Sequence, residues 1–144
     1  YAMPTRNAQA RWTGTIKEGE GTMKMESGWE GDYSFATRFQ QKPGTNPEEL
    51  IGAAHAGCLS MAMSLEFTEA GYQPEFIETD ANVTVEDVGN GPEITKIELS
   101  THANIPGIEQ EEFDKIAAAS VAGCPVSKAL ASVGEVNFEA HLVD

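Results

Sequence analysis

Basic residues are scarce in this chain: 9 lysines and arginines face 23 aspartates and glutamates, a formal charge of −14. That shortage argues against nucleic acid and anionic membrane surfaces as partners, because both are held through positive charge. Cysteine is scarcer still, with 2 in 144 residues. There is no CxxC and no histidine-rich spacing, so a closed zinc site, which wants four ligands, is not expected. Long apolar runs are missing too: the longest, Leu50 to Leu65, has 16 residues, short of the roughly 20 that span a bilayer. No apolar segment follows Arg6 and Arg11, so a secretory signal is not expected and a reducing cytoplasm is the default. There, two cysteines point to chemistry more than to a permanent staple. No linker, low-complexity segment or internal repeat appears.

What is present suits one globular domain over residues 3–144, with Tyr1-Ala2 read as a leftover of cloning before Met3. A hydrophobic share of 40% and a charged share of 22% are ordinary for such a domain. Ala8 to Ile16 roughly alternates polar and apolar, Lys17 to Gly21 reads as a turn, and Thr22 to Glu26 alternates again, a hairpin pattern. Tyr33 to Phe39, carrying Arg38, reads as a third strand. A long helix follows the loop at 41–45. Asn46 is placed to cap it, Pro47 fits its first position, and Glu49 is placed to reach back in a capping box. Gly71 is a natural left-handed stop.

Beyond it, Phe76 to Val88 and Ile94 to Ile105 form two strands about the Gly89-Asn-Gly-Pro92 turn. Gln110 to Ala122 has helical spacing of Phe113, Ile116, Ala117 and Val121, and Gly123 stops it. Pro125 restarts a short helix to about Ser132, and Val136 to Val143 alternates as a last strand. The order βββα–ββ–αα–β makes an α+β domain whose antiparallel sheets pack on central helices. The long helix is apolar on every side from Leu50 to Leu65, save His55, Ser60 and Ser64. Such a helix demands cover all round, more than one small sheet and one alanine-rich helix give. An intertwined homodimer sharing these central helices is therefore expected.

The local surroundings of the two cysteines differ. Cys124 precedes Pro125 at a helix start, where free N–H groups lower a thiol's pKa. Cys58 lies mid-helix in the apolar seam Leu50, Ala54, Cys58, Met61, Leu65, and by that placement reads as a small inert hydrophobe. Local chemistry alone leaves open which thiol reacts.

Three stretches carry a family resemblance. Asn46-Pro-Glu-Glu-Leu-Ile-Gly-Ala-Ala-His-Ala-Gly-Cys58, Ala122-Gly-Cys-Pro-Val-Ser127 and Trp12-Thr-Gly-Thr-Ile-Lys-Glu-Gly19 together resemble the OsmC/Ohr family. The Ala-His-Ala form of the helix and the arginine in Thr37-Arg38-Phe39 resemble its OsmC branch of osmotically inducible proteins.

The resemblance implies a thiol-dependent peroxidase without a cofactor. It makes Cys58 the peroxidatic cysteine and Cys124 the resolving one. Arg38 would stabilise the Cys58 thiolate and hold the hydroperoxide, and Glu48 would orient Arg38. It further implies a homodimer with sites at the subunit interface, organic hydroperoxides preferred over hydrogen peroxide, and a dithiol reductant such as a lipoylated protein. These roles meet a physical requirement: a thiol among alanine, leucine and methionine stays protonated unless a cation lies close. The disulfide they imply needs Cα atoms about 4.4–6.8 Å apart, so positions 58 and 124 must meet in the fold.

His55, one turn before Cys58, is read as a satisfied buried histidine, and His102 and His141 as surface residues. Arg6 and Arg11 are the rivals of Arg38. The alternative functions are a non-catalytic stress protein with a ligand-binding apolar pocket, and a thiol–disulfide oxidoreductase acting on proteins, which the lack of CxxC disfavours.

Overall fold

A computed structural model describes residues 3–144; Tyr1 and Ala2, read above as a leftover of cloning, lie outside the described residues. The chain divides into two compact units, the first ending at Leu50 and the second beginning at Ile51.

The first unit holds strands β1 (Ala8–Thr13), β2 (Glu20–Met25) and β3 (Glu30–Tyr33), an antiparallel sheet in that order. Trp12 and Tyr33 meet across it with ring centroids 5.5 Å apart. Gly21 lies between them, where a Cβ would come 2.5 Å from the Tyr33 ring and 2.9 Å from Trp12. The third strand is shorter and earlier than the expected 33–39. After it comes a helix, α1 (Phe35–Phe39), which carries Arg38 in its last turn. Ser34 forces the change: its Oγ accepts from the Thr37 N–H at 3.2 Å, and Thr37 Oγ1 accepts from the Ser34 N–H at 2.8 Å. This reciprocal box stabilises a helical turn more than alternation stabilises a strand that short.

The long helix α2 runs Pro47–Glu69, its first turn counting with the first unit. Asn46 caps it, with Oδ1 accepting from the Glu49 N–H at 2.8 Å. The expected return bond of a capping box is replaced: the Glu49 carboxylate accepts from the Thr45 hydroxyl at 2.9 Å. At the far end Gly71 takes φ +98°, and the Gly71 and Tyr72 N–H groups donate to Thr68 and Phe67 carbonyls, both at 3.0 Å. That is the paired closure of a Schellman stop.

In the second unit, β4 (Phe76–Asp87), β5 (Pro92–Asn104) and β6 (Glu135–Leu142) form the other three-stranded sheet. β4 and β5 are antiparallel, but β6 lies parallel to β5, which departs from the expected all-antiparallel arrangement. Parallel neighbours need a long crossover. Here α3 (Gln110–Ser120), a 3-10 turn (Val121–Gly123) and α4 (Pro125–Ala129) supply it.

The core lies in this unit. Leu59, Met63 and Phe67 of α2 meet the alternate residues Ile97, Leu99 and Ala103 of β5, with Phe113 and Ala117 of α3 and Cys124 alongside. Phe67 stacks on Phe113 at 5.5 Å. A chain of hydroxyls, Ser60 to Thr79 to Thr101 with 2.8 Å at each step, satisfies the polar atoms between helix and sheet.

By length and apolar content α2, at 23 residues, passes as a membrane span, since it continues past the apolar run to Glu69. Its packing is instead that of a core helix on one side only. Gly52, His55, Leu59, Met63 and Phe67 are buried, whereas Ala53, Ala54, Gly57, Met61 and Leu65 are exposed. The burial expected all round is thus absent from the single chain.

Candidate active site

The family resemblance singles out four side chains, and the structure joins them as two pairs. The first pair is in the N-terminal unit. Arg38, at the end of α1, donates from Nε at 2.9 Å and from Nη2 at 2.6 Å to one oxygen of Glu48, Oε1. Glu48 is only 8% exposed and stands in the first turn of α2, where the helix dipole favours an anion. The Arg38 guanidinium also lies over the Phe39 ring, 5.0 Å from its centroid. Asn46 braces the arrangement, its Nδ2 donating to the Thr37 carbonyl at 3.2 Å. An arginine held by a buried carboxylate and an aromatic face is a fixed cation, available at any working pH. The rival arginines are placed differently. Arg6 reaches Glu26 only at 4.0 Å in an exposed pair, and Arg11 sits on β1 opposite Thr22.

The second pair is in the C-terminal unit. Cys58 and Cys124 are both free thiols of one core cluster, and each acts on the other's ionisation. Cys58 is half-buried in the middle of α2, and Cys124 is fully buried. Cys124 is the N-cap of α4, its sulfur accepting from the Ser127 N–H at 3.4 Å. Their surroundings push them apart. Burial, first of all, holds the Cys58 thiol above its ordinary pKa, and the neighbouring Cys124 adds to this against a donor N–H from Val126. Burial also acts against ionisation of Cys124. There it is outweighed by the hydroxyl and N–H of Ser127, by Cys58 and by the Val126 N–H, so that thiol lies below its ordinary value.

The family model described as OsmC-like protein matches residues 39–139. This chain belongs to the OsmC-like family. It is 50% identical over 127 residues to Peroxiredoxin OsmC of Escherichia coli (strain K12), covering 87% of this chain and 89% of that protein. An organic hydroperoxide resistance protein OsmC from Legionella pneumophila shares the fold with a TM-score of 0.72 at 22% identity, covering all of both chains (100% and 100%). An OsmC-like protein from Mycoplasma pneumoniae superimposes with a TM-score of 0.78 at 14% identity, over 99% of this chain and 100% of that one. The OsmC-like α+β fold is thereby established for this chain, and with it the OsmC branch of the family.

Two residues without an assigned role complete the surroundings of the thiols. His55, buried within α2, has Nε2 2.8 Å from Ser127 Oγ, and burial lowers its pKa. Its Nδ1 is buried with no partner among the described residues, so it is not the fully satisfied histidine expected. Ser127 was passed over in the sequence, although its place three residues after Cys124 is where the N–H that donates to a capping side chain falls. His102 and His141 stack at 5.0 Å on the exposed side of the parallel pair β5·β6, on the surface as expected. Met61, expected beside Cys58 in an apolar lining, is 78% exposed in the single chain.

Proposed function

We propose that this OsmC-like protein is a thiol-dependent peroxidase that reduces organic hydroperoxides to alcohols. The observation that carries the reading is the meeting of two free thiols, Cys58 and Cys124, in a chain 50% identical to a peroxiredoxin. In the proposed cycle the Cys58 thiolate attacks the peroxide oxygen. The O–O bond breaks, Cys58 becomes a sulfenic acid, and the alkoxide takes a proton to leave as alcohol. Cys124 then attacks the Cys58 sulfur, forming the disulfide and releasing water, and a dithiol such as a lipoyl group restores both thiols.

Because burial raises the Cys58 thiol, the first step needs a cation, and Arg38 held by Glu48 is the cation proposed. The exposed apolar residues of α2 suit a homodimer interface, with the sites at that interface and residues 3–144 acting as one domain. A reducing cytoplasm is the proposed compartment, since it keeps such a dithiol supplied.

The test is consumption of cumene hydroperoxide with a dithiol reductant. Cys58→Ser is expected to fall to the rate of reductant alone, and full activity in it would overturn the reading. Arg38→Met should lose roughly 10²–10³-fold in kcat/KM, the scale of a removed electrostatic stabiliser. Cys124→Ser should complete one turnover and then accumulate Cys58 sulfinic acid by mass spectrometry.

A further inference from the structure

We propose that His55 is a positioning residue which, through the Ser127 hydroxyl, holds the Cys124 sulfur as the thiolate that closes the disulfide. The inference rests on the peroxidase reading for its purpose, but not for its geometry. Three elements are joined. His55 of α2 is 0% exposed, and its Nε2 is 2.8 Å from Ser127 Oγ. Ser127, at the third position of α4, donates its N–H to the Cys124 sulfur at 3.4 Å, and its hydroxyl, the group His55 holds, favours the thiolate of the same cysteine.

A hydroxyl has one proton to give. If Ser127 gives it to the Cys124 thiolate, its oxygen must accept from elsewhere, and His55 Nε2–H is the group in place. Neutral His55 in that tautomer leaves Nδ1 as a bare acceptor. This accounts for a buried ring nitrogen that finds no partner among the described residues. The opposite tautomer would bury an unpaired N–H and turn the Ser127 proton away from the sulfur, which is the costlier arrangement. Cys58 is the titratable side chain that acts directly on Cys124, and no charged side chain contributes to its shift. The Ser127 donors come first among the groups that favour the thiolate, ahead of Cys58 and the Val126 N–H.

In the resolving step the Cys124 thiolate attacks the sulfenic sulfur of Cys58. The S–S bond forms, the S–O bond breaks, and the departing hydroxide takes up the proton that Cys124 had released, giving water. Neither His55 nor Ser127 is consumed or changes its net protonation.

The test reads Cys124 ionisation without any peroxide, so its outcome is independent of whether the peroxidase reading stands. In the Cys58→Ser protein, the pH profile of iodoacetamide alkylation reports Cys124. Adding Ser127→Ala is expected to raise its apparent pKa by about one unit, slowing alkylation well below that pKa about tenfold. His55→Leu should do the same, and His55→Gln, which returns an N–H donor near the Nε2 position, should restore the original profile. A profile unmoved by Ser127→Ala, a small change at a half-buried residue, overturns the proposal. So does a profile that moves equally with His55→Gln and His55→Leu, since that outcome belongs to packing alone.

Discussion

The two faces of α2 are built from similar residues and meet opposite surroundings. On one, Leu59, Met63 and Phe67 are fully buried against β5 and α3, with His55 among them. On the other, Met61 is 78% and Leu65 49% exposed, and Ala54 and Gly57 are open as well. Cys58 sits half-buried between the faces. Apolar content thus says how much cover a helix seeks, and the fold decides how much of it one chain provides. The covered face carries the stability of the second unit. The open face is the part of the molecule that a second copy is proposed to complete.

The largest effect should come from emptying the covered face. Phe67→Ala is expected to cost about 3–5 kcal/mol, because it removes a fully buried ring and its stack on Phe113. The shift in urea midpoint at unchanged slope measures it. If the loss were below about 1 kcal/mol, the contrast between the faces would fail.

A smaller effect belongs to His55 on the same face. Its pKa is lowered from 6.5 by burial, so the unfolded chain takes up a proton that the folded one refuses. Stability from this group is complete above about pH 6.5 and declines as the pH falls toward the folded value, by at most about 1.4 kcal/mol per pH unit. Urea unfolding at several pH values should show a shallower acid slope for His55→Gln than for the parent.

The smallest effect on the chain itself is predicted for the open face. Met61→Lys should change the unfolding free energy of the single chain, compared at concentrations where both proteins are monomeric, by less than about 0.5 kcal/mol, yet at higher concentration sedimentation should shift from dimer to monomer. A dimer that survives this substitution would place its interface elsewhere.

Features made by neighbouring residues were legible in the sequence. The Asn46 cap, the Gly71 stop and the turn at Gly89 and Gly91 each need only a few adjacent positions, and each stands where it was expected. The Cys124 cap belongs with them. The α1 helix was missed although its signal was local, because Ser34 and Thr37 bond each other within a stretch that also alternates like a strand. The direction of β6 was not legible at all: alternation marks which side chains face the core and carries no polarity. Nor was the bond from His55 to Ser127, which spans 72 positions and depends on where the crossover sets α4 against α2. The pairing of Arg38 with Glu48 was reached only through resemblance, since no rule of spacing links the end of one helix to the start of the next.

The crossover between the parallel strands β5 and β6 is also a length of polymer with a sulfur near its end. In the oxidised form that the proposed cycle requires, a bond from position 58 to position 124 closes that length, with β4 and β5, into a ring. By loop entropy such a closure removes about 4 kcal/mol of freedom from the unfolded chain. Each turnover then alternates the molecule between a linear and a ringed topology, and the linear one is the easier to unravel. A protein left oxidised for want of reductant would be idle but durable, and reduction would restore its activity and shorten its lifetime together.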